Sequence, residues 1–217
     1  MEITAEKIMQ QLSAGTQVAG VIAVFGEEGY YKDKIAAALP RAVFGDAAPE
    51  DREITVFECD TDIKEISAAV NTYPFFSGRS LVIIKDEKLW GGKDGGEKRK
   101  QQQEELAELL ADVPEHCQVL LLGEKIDKRG KLYKSLLKTA AMVECKSLKS
   151  YQLKPWLDEQ AALRGCCFDY EASQTIMEYL SVTDNAPLLL LEQEIEKLSV
   201  YAGERKIWTK DDIEQTF

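Results

Sequence analysis

The chain has 217 residues, and its 27 Lys and Arg against 38 Asp and Glu leave a formal charge of −11. With 45% hydrophobic and 30% charged residues it can bury a proper core, which excludes wholesale disorder. Its length suits one large or two small domains, and its acidity disfavours a general nucleic-acid coat, whose affinity rests on Lys and Arg neutralising phosphate.

Aliphatic runs such as 81–84 and 119–122 are far shorter than the about 20 apolar residues a membrane-spanning helix needs. Met1-Glu2-Ile3-Thr4-Ala5-Glu6 has neither the basic stretch nor the apolar stretch of a signal peptide. The cysteines, Cys59, Cys117, Cys145, Cys166 and Cys167, follow neither a disulfide framework nor a zinc spacing. The expectation is a cytoplasmic protein with reduced thiols, no metal and no membrane partner.

In chain order, 21–25, 54–58, 81–85, 118–122 and 142–145 read as strands, being short, apolar and rich in β-branched residues or Leu. Helical spacing lies between them. Ile63, Ile66 and Val70 follow an N-cap candidate at Asp60 or Thr61, Leu106, Leu109 and Leu110 follow a polar run, and Tyr133, Leu136 and Leu137 mark a further helix. Such alternation predicts an α/β domain over 1–147, with a mainly parallel sheet covered by helices on both faces. Residues 90–99, rich in Gly and charge, read as a flexible loop.

From 149 onward no strand is evident. Helices are predicted over 151–164, closed by Gly165, over 170–180, and over 186–202, closed by Gly203. Together they make a small all-helical domain over 148–217. Thr209 with Asp212 three residues on has the pattern of a capping box, so the last residues read as the opening of an element. The chain is therefore expected to be a piece of a longer protein.

An α/β domain followed by a small helical lid is the arrangement of AAA+ ATPases, which makes the first strand–turn–helix a P-loop candidate. The template G-x-x-x-x-G-K-[ST] cradles phosphate on backbone amides and places a hydroxyl on Mg²⁺. Here Gly26 and Lys32 are in register, but Tyr31 stands at the second glycine and Asp33 at the hydroxyl position. A tyrosine there crowds the phosphates, and Glu27, Glu28 and Asp33 repel them. Asp86 and Glu87 after the third strand imitate a Walker B end, yet Lys85 intervenes and a surface acidic pair explains them as well. No nucleotide, and no other cofactor, is expected.

His116 and Cys117 are adjacent at a strand start and so point to opposite faces, which leaves no nucleophile–base pair. His116 is expected at the surface and Cys117 in the core, with Cys166 and Cys167 packed behind the first helix of the second domain. No catalytic residue emerges.

The segment Tyr73-Pro74-Phe75-Phe76-Ser77-Gly78-Arg79 is different. Pro74 disfavours helical geometry at Tyr73, so two adjacent phenylalanines fall in a helix-to-strand turn. Burying one such ring is worth about 1.5–3 kcal/mol, so leaving it in water needs a reason. Either both rings pack under their own loop, or they project as an anchor for a partner's pocket.

Three segments together resemble the delta subunit family of the bacterial DNA polymerase III clamp loader. They are Val24-Phe25-Gly26-Glu27-Glu28-Gly29-Tyr30-Tyr31; Pro74 to Arg79 with Leu81-Val82; and Leu191-Glu192-Gln193-Glu194-Ile195-Glu196-Lys197-Leu198 with Tyr201-Ala202-Gly203. The resemblance spans nearly the whole chain. It implies an AAA+-like module that does not hydrolyse ATP, binds the sliding clamp (the beta subunit) and helps open the ring for loading onto DNA. The clamp contacts it implies are Phe75 and Phe76, with Tyr73 as a further apolar contact. It also implies association with other clamp-loader subunits in the polymerase holoenzyme. Members of the family continue into a helical collar domain, which is expected to be absent from this chain.

Two other readings remain. An active AAA+ ATPase of a replication complex is opposed by Tyr31 and Asp33. A primary nucleic-acid binder is opposed by the charge, although Lys125, Lys128, Arg129, Lys131, Lys134 and Lys138 form a local basic run against Asp127. Within it Lys128, Arg129 and Lys131 are the candidate DNA-facing residues, for a contact that is weak or indirect.

Overall fold

The computed structural model describes residues 1–16, 18–58, 61–85, 96–181 and 187–217, without the side chains of Lys98 and Arg99. They form two compact units, Met1–Cys145 and Lys146–Phe217. No helix among the described residues is long and apolar enough to cross a membrane.

The first unit holds β1 (Val21–Phe25), β2 (Glu53–Phe57), β3 (Ser80–Ile84), β4 (Cys117–Gly123) and β5 (Ala141–Glu144). They make one parallel sheet in the order β2-β3-β4-β1-β5. The central strands are apolar on both faces, as helix-covered parallel strands must be. Its helices are α1 (Ala5–Ser13), α2 (Gly29–Phe44), α3 (Ile63–Asn71), α4 (Glu97–Leu109) and α5 (Lys131–Thr139).

One sheet face, carrying Ala23, Val82, Val119 and Leu121, packs under Ile66 and Val70 of α3, Leu106 of α4 and Leu136 of α5. The opposite face lies toward α1 and α2, whose Ile8, Ile35 and Leu39 are wholly buried. Coverage stops at the β2 edge, where Ile54 and Val56 are exposed. Of the two elements flanking β2 in sequence, a 3-10 turn (Pro49–Asp51) precedes it and α3 lies on the other face, so this corner stays open.

Two local expectations change. The cap of α3 is Asp62, whose carboxylate accepts from the Lys64 N–H at 3.0 Å, not Thr61; Asp60 lies outside the described residues. The expected loop over 90–99 lies outside the described residues as far as 95, and the backbone is already helical from Glu97. The helix α1 was unanticipated. Its signal was present but short: Thr4 caps it by accepting from the Lys7 N–H, and Ile8 and Leu12 face the core at helical spacing.

In the second unit α6 (Ser150–Leu163), α7 (Tyr170–Ser181), α8 (Leu188–Ala202) and α9 (Lys210–Thr216) surround Leu157, Ile176, Ile195 and Ile213. Gly165 and Gly203 close α6 and α8 with φ of 69° and 60°. The unit is not purely helical. β6 (Cys167–Phe168) and β7 (Ile207–Trp208) form a two-residue parallel pair, which turns Phe168 edge-on to the buried Trp208 at 5.1 Å. Alternation along β6 turns Cys167 outward, opposite to Phe168, and Cys166 just before the strand is half-buried, contrary to the expected packing of both.

Candidate functional site

Parallel strands sort the candidate residues between the two ends of the sheet. The P-loop-like turn follows β1, and the basic run follows β4, so both lie at the C-terminal end. The aromatic turn precedes β3, and His116 precedes β4, so these lie at the N-terminal end.

At the C-terminal end, Gly26 has φ 130°, and a Cβ there would stand 1.9 Å from the Cys145 carbonyl oxygen. Only glycine fits, because the backbone after β5 lies directly against it. The Cys145 N–H donates to Phe25, and the Glu28 N–H donates to the Cys145 carbonyl at 3.2 Å. Glu28 is also the N-cap of α2, and its carboxylate accepts from the Tyr30 N–H at 2.9 Å. The Lys32 ammonium donates back to the Gly26 carbonyl at 2.8 Å. Tyr31 is buried edge-on to Tyr30 with centroids 5.0 Å apart, while Asp33 is exposed. The helix start and the lysine thus bind groups of the turn itself. Burial pushes the Cys145 thiol up to about 12, with Lys32 pulling the other way. The Asp86–Glu87 pair lies outside the described residues.

The basic run is threaded with carboxylates. Lys128 Nζ meets both Glu144 oxygens at 2.8 and 2.9 Å, Lys131 meets Glu104 at 2.7 Å, and Arg129 lies 3.9 Å from Asp127. Such exposed pairs are worth about 0–1 kcal/mol each, so a polyanion competes with them at little cost.

At the N-terminal end, α3 stops at Asn71 and Thr72 is already extended, one residue before Tyr73, whose helical conformation Pro74 disfavours. Pro74 is buried, and Gly78 turns the chain into β3 with φ 65°. Between them Tyr73, Phe75 and Phe76 are 72%, 87% and 69% exposed. The rings therefore project and do not pack under their loop. Phe75 and Phe76 stand edge-to-face with centroids 5.1 Å apart. Tyr73 lies against His116 at 5.2 Å, which leaves His116 half-buried instead of at the surface as expected. Cys117 is buried as expected, and burial raises its thiol.

One participant had no signal in the sequence. Glu53, at the start of β2, accepts the backbone N–H groups of Phe75 and Phe76 at 2.5 and 2.9 Å. It lies 22 residues before Phe75, and only the β2–β3 register brings the two together.

The family model "DNA polymerase III, delta subunit" matches residues 25–146. The chain is 28% identical over 200 residues to DNA polymerase III subunit delta of Bacillus subtilis, covering 91% of this chain and 56% of that protein. It thus spans little more than half of that relative's length. A solved structure of the Bacillus subtilis DNA clamp loader delta protein superposes with TM-score 0.75 at 26% identity, covering 97% of this chain and 61% of that one. A chain of the E. coli MS115-1 HORMA:CdnC:Trip13 complex shares the fold at TM-score 0.55 and 12% identity, covering 97% of this chain and 76% of that one. With the family model matching more than half of its residues, the chain belongs to the DNA polymerase III delta subunit family.

Proposed function

We propose that this chain is the clamp-binding part of a clamp-loader delta subunit. It inserts Phe75 and Phe76, with Tyr73 beside them, into an apolar pocket of the sliding clamp and helps open the ring, without hydrolysing ATP itself. The observation that carries this reading is the projecting aromatic pair at Phe75 and Phe76, in a chain of this family. Two seated rings offer about 3–6 kcal/mol of gross burial, before association and ordering costs. To shift the ring toward opening, the turn must bind the open or strained clamp better than the closed one.

Nucleotide hydrolysis then belongs to companion subunits. Lys32 and Glu28 support this, since each makes a hydrogen bond inside the turn that a phosphate would have to enter. The partners are the sliding clamp and the other loader subunits, in the cytoplasm. Any DNA contact through Lys128, Arg129 and Lys131 is weak and displaces their carboxylate partners.

The test is binding of the 217-residue chain to the sliding clamp of the same cell, wild type against Phe75→Ala/Phe76→Ala. Binding that disappears in a folded double variant supports the reading. Wild type that does not bind, or a double variant that binds equally, overturns it.

A further inference from the structure

The three aromatic side chains of the turn do not hold its backbone in place. Tyr73, Phe75 and Phe76 face outward, and the segment belongs to no helix or strand. Pro74 anchors one side by burial, and the Ser77 hydroxyl bonds the Arg79 carbonyl at 2.7 Å on the other. Between these points the backbone contact is the Glu53 carboxylate, one oxygen of which takes both Phe75 and Phe76 N–H groups.

We propose that Glu53 is the positioning residue of this turn, presetting both rings for the clamp pocket; the proposal rests on the clamp reading above. Two consecutive amides bound to one oxygen hold the peptide planes on both sides of the Phe75 Cα, and with them the direction in which its Cα–Cβ bond leaves the chain and the position of the Phe76 Cα. Glu53 can impose that geometry because it sits on a strand already paired to β3, in register with Ser80. Its charge makes both hydrogen bonds charge-assisted, hence stronger than bonds to a neutral acceptor.

A second consequence concerns solvent. When the rings enter an apolar pocket, the Phe75 and Phe76 amides lose water along with them. An amide buried without a partner opposes binding. Glu53 supplies that partner from within the chain, so the pocket needs no polar group for it. The free turn is also already ordered, which lowers the conformational cost of association.

The experiment uses the 217-residue chain, labelled with ¹⁵N, in three forms: wild type, Glu53→Ala and Glu53→Gln. Each is measured for clamp affinity and for hydrogen exchange at the Phe75 and Phe76 amides without clamp. Glu53→Ala is expected to bind roughly ten- to a hundredfold more weakly, the loss of charge-assisted bonds expressed as affinity. Its two amides exchange faster while the core amides of β3 and β4 keep their protection. Glu53→Gln retains an acceptor of the same reach and recovers most of both signals. A purely structural role would instead speed exchange across the sheet.

Unchanged affinity in both variants, with wild type binding normally, overturns the role of Glu53 and leaves the clamp reading standing. Wild type that fails to bind overturns the clamp reading and this role with it. Should Glu53→Ala fail to fold, Glu53→Gln decides: amides that exchange as fast as those of an unstructured peptide overturn the proposal, and retained protection with near-normal affinity supports it.

Discussion

The Lys32 ammonium donates to the Gly26 carbonyl at 2.8 Å, across the turn in which a P-loop lysine would reach for phosphate. Behind that carbonyl, Gly26 leaves no room for a Cβ against Cys145, and the Glu28 carboxylate already caps the helix. These two charged groups thus bind the turn's own backbone, Lys32 the Gly26 carbonyl and Glu28 the Tyr30 N–H. The negative charge a phosphate would bring is supplied by Glu28 at the positive end of the α2 dipole.

Lys32 accordingly serves the fold. Lys32→Met should lower stability by about 1 kcal/mol, the worth of one hydrogen bond, and millimolar Mg–ATP should leave the melting temperature of the wild-type chain unchanged. Gly26→Ala should cost about 3 kcal/mol or more, because backbone, not a flexible side chain, occupies the new methyl's place. Urea titration and thermal shift measure all three.

The exposed rings contribute little to the folded state. Phe75→Ala/Phe76→Ala should change unfolding free energy by less than about 1 kcal/mol, the loss of one edge-to-face pair in water. Urea denaturation of the two forms checks this. It also shows whether a loss of partner binding is local to the turn.

Acid should weaken the second unit through Asp212. Burial alone would raise this carboxyl, but the Thr209 N–H, the Arg205 side chain and the Thr209 hydroxyl together hold it below the ordinary carboxylate range. The folded pKa then lies below the unfolded one, near 4, so the unfolded chain binds more protons as pH falls. The stabilisation is complete above about pH 5 and is lost as pH drops through the folded pKa. Asp212→Asn should cost about 1–3 kcal/mol at pH 7 and flatten that acid dependence. Fluorescence of Trp156 and Trp208 in a Trp90→Phe background, followed against pH, reads it out.

Thiol reactivity should divide by position. Among the described cysteines, Cys167 is exposed and should alkylate first at pH 8, with half-buried Cys166 slower. Cys145, pushed up to about 12, and Cys117, raised by burial, should react only on unfolding. Timed alkylation read by peptide mass spectrometry, with and without urea, tests this order.

Much of the fold was legible in the chain because its signals are local. Val21–Phe25 is apolar at every position and Ser80–Ile84 at all but its first, and so short a run rich in β-branched residues suits a strand buried on both faces. Pro74 keeps Tyr73 out of helical geometry, so α3 cannot continue into the turn, and Gly165 and Gly203 close helices in the left-handed region. What escaped was short or distant. Two-residue strands such as β6 and β7 have no period to detect, and α1 shows its apolar spacing over only nine residues.

From sequence alone come the five strands of the first unit with helices between them, the two-part organisation, the turn at Pro74 and the failure of the P-loop pattern at Tyr31 and Asp33. Each depends on residues within a few positions of one another, where backbone sterics and side-chain period decide the outcome. Only tertiary structure decided that Phe75 and Phe76 face outward, that Lys128 is held by Glu144, and that Glu53 receives the amides of the turn. Those contacts join residues 16 to 23 positions apart, and strand register and packing, not local pattern, bring such partners together.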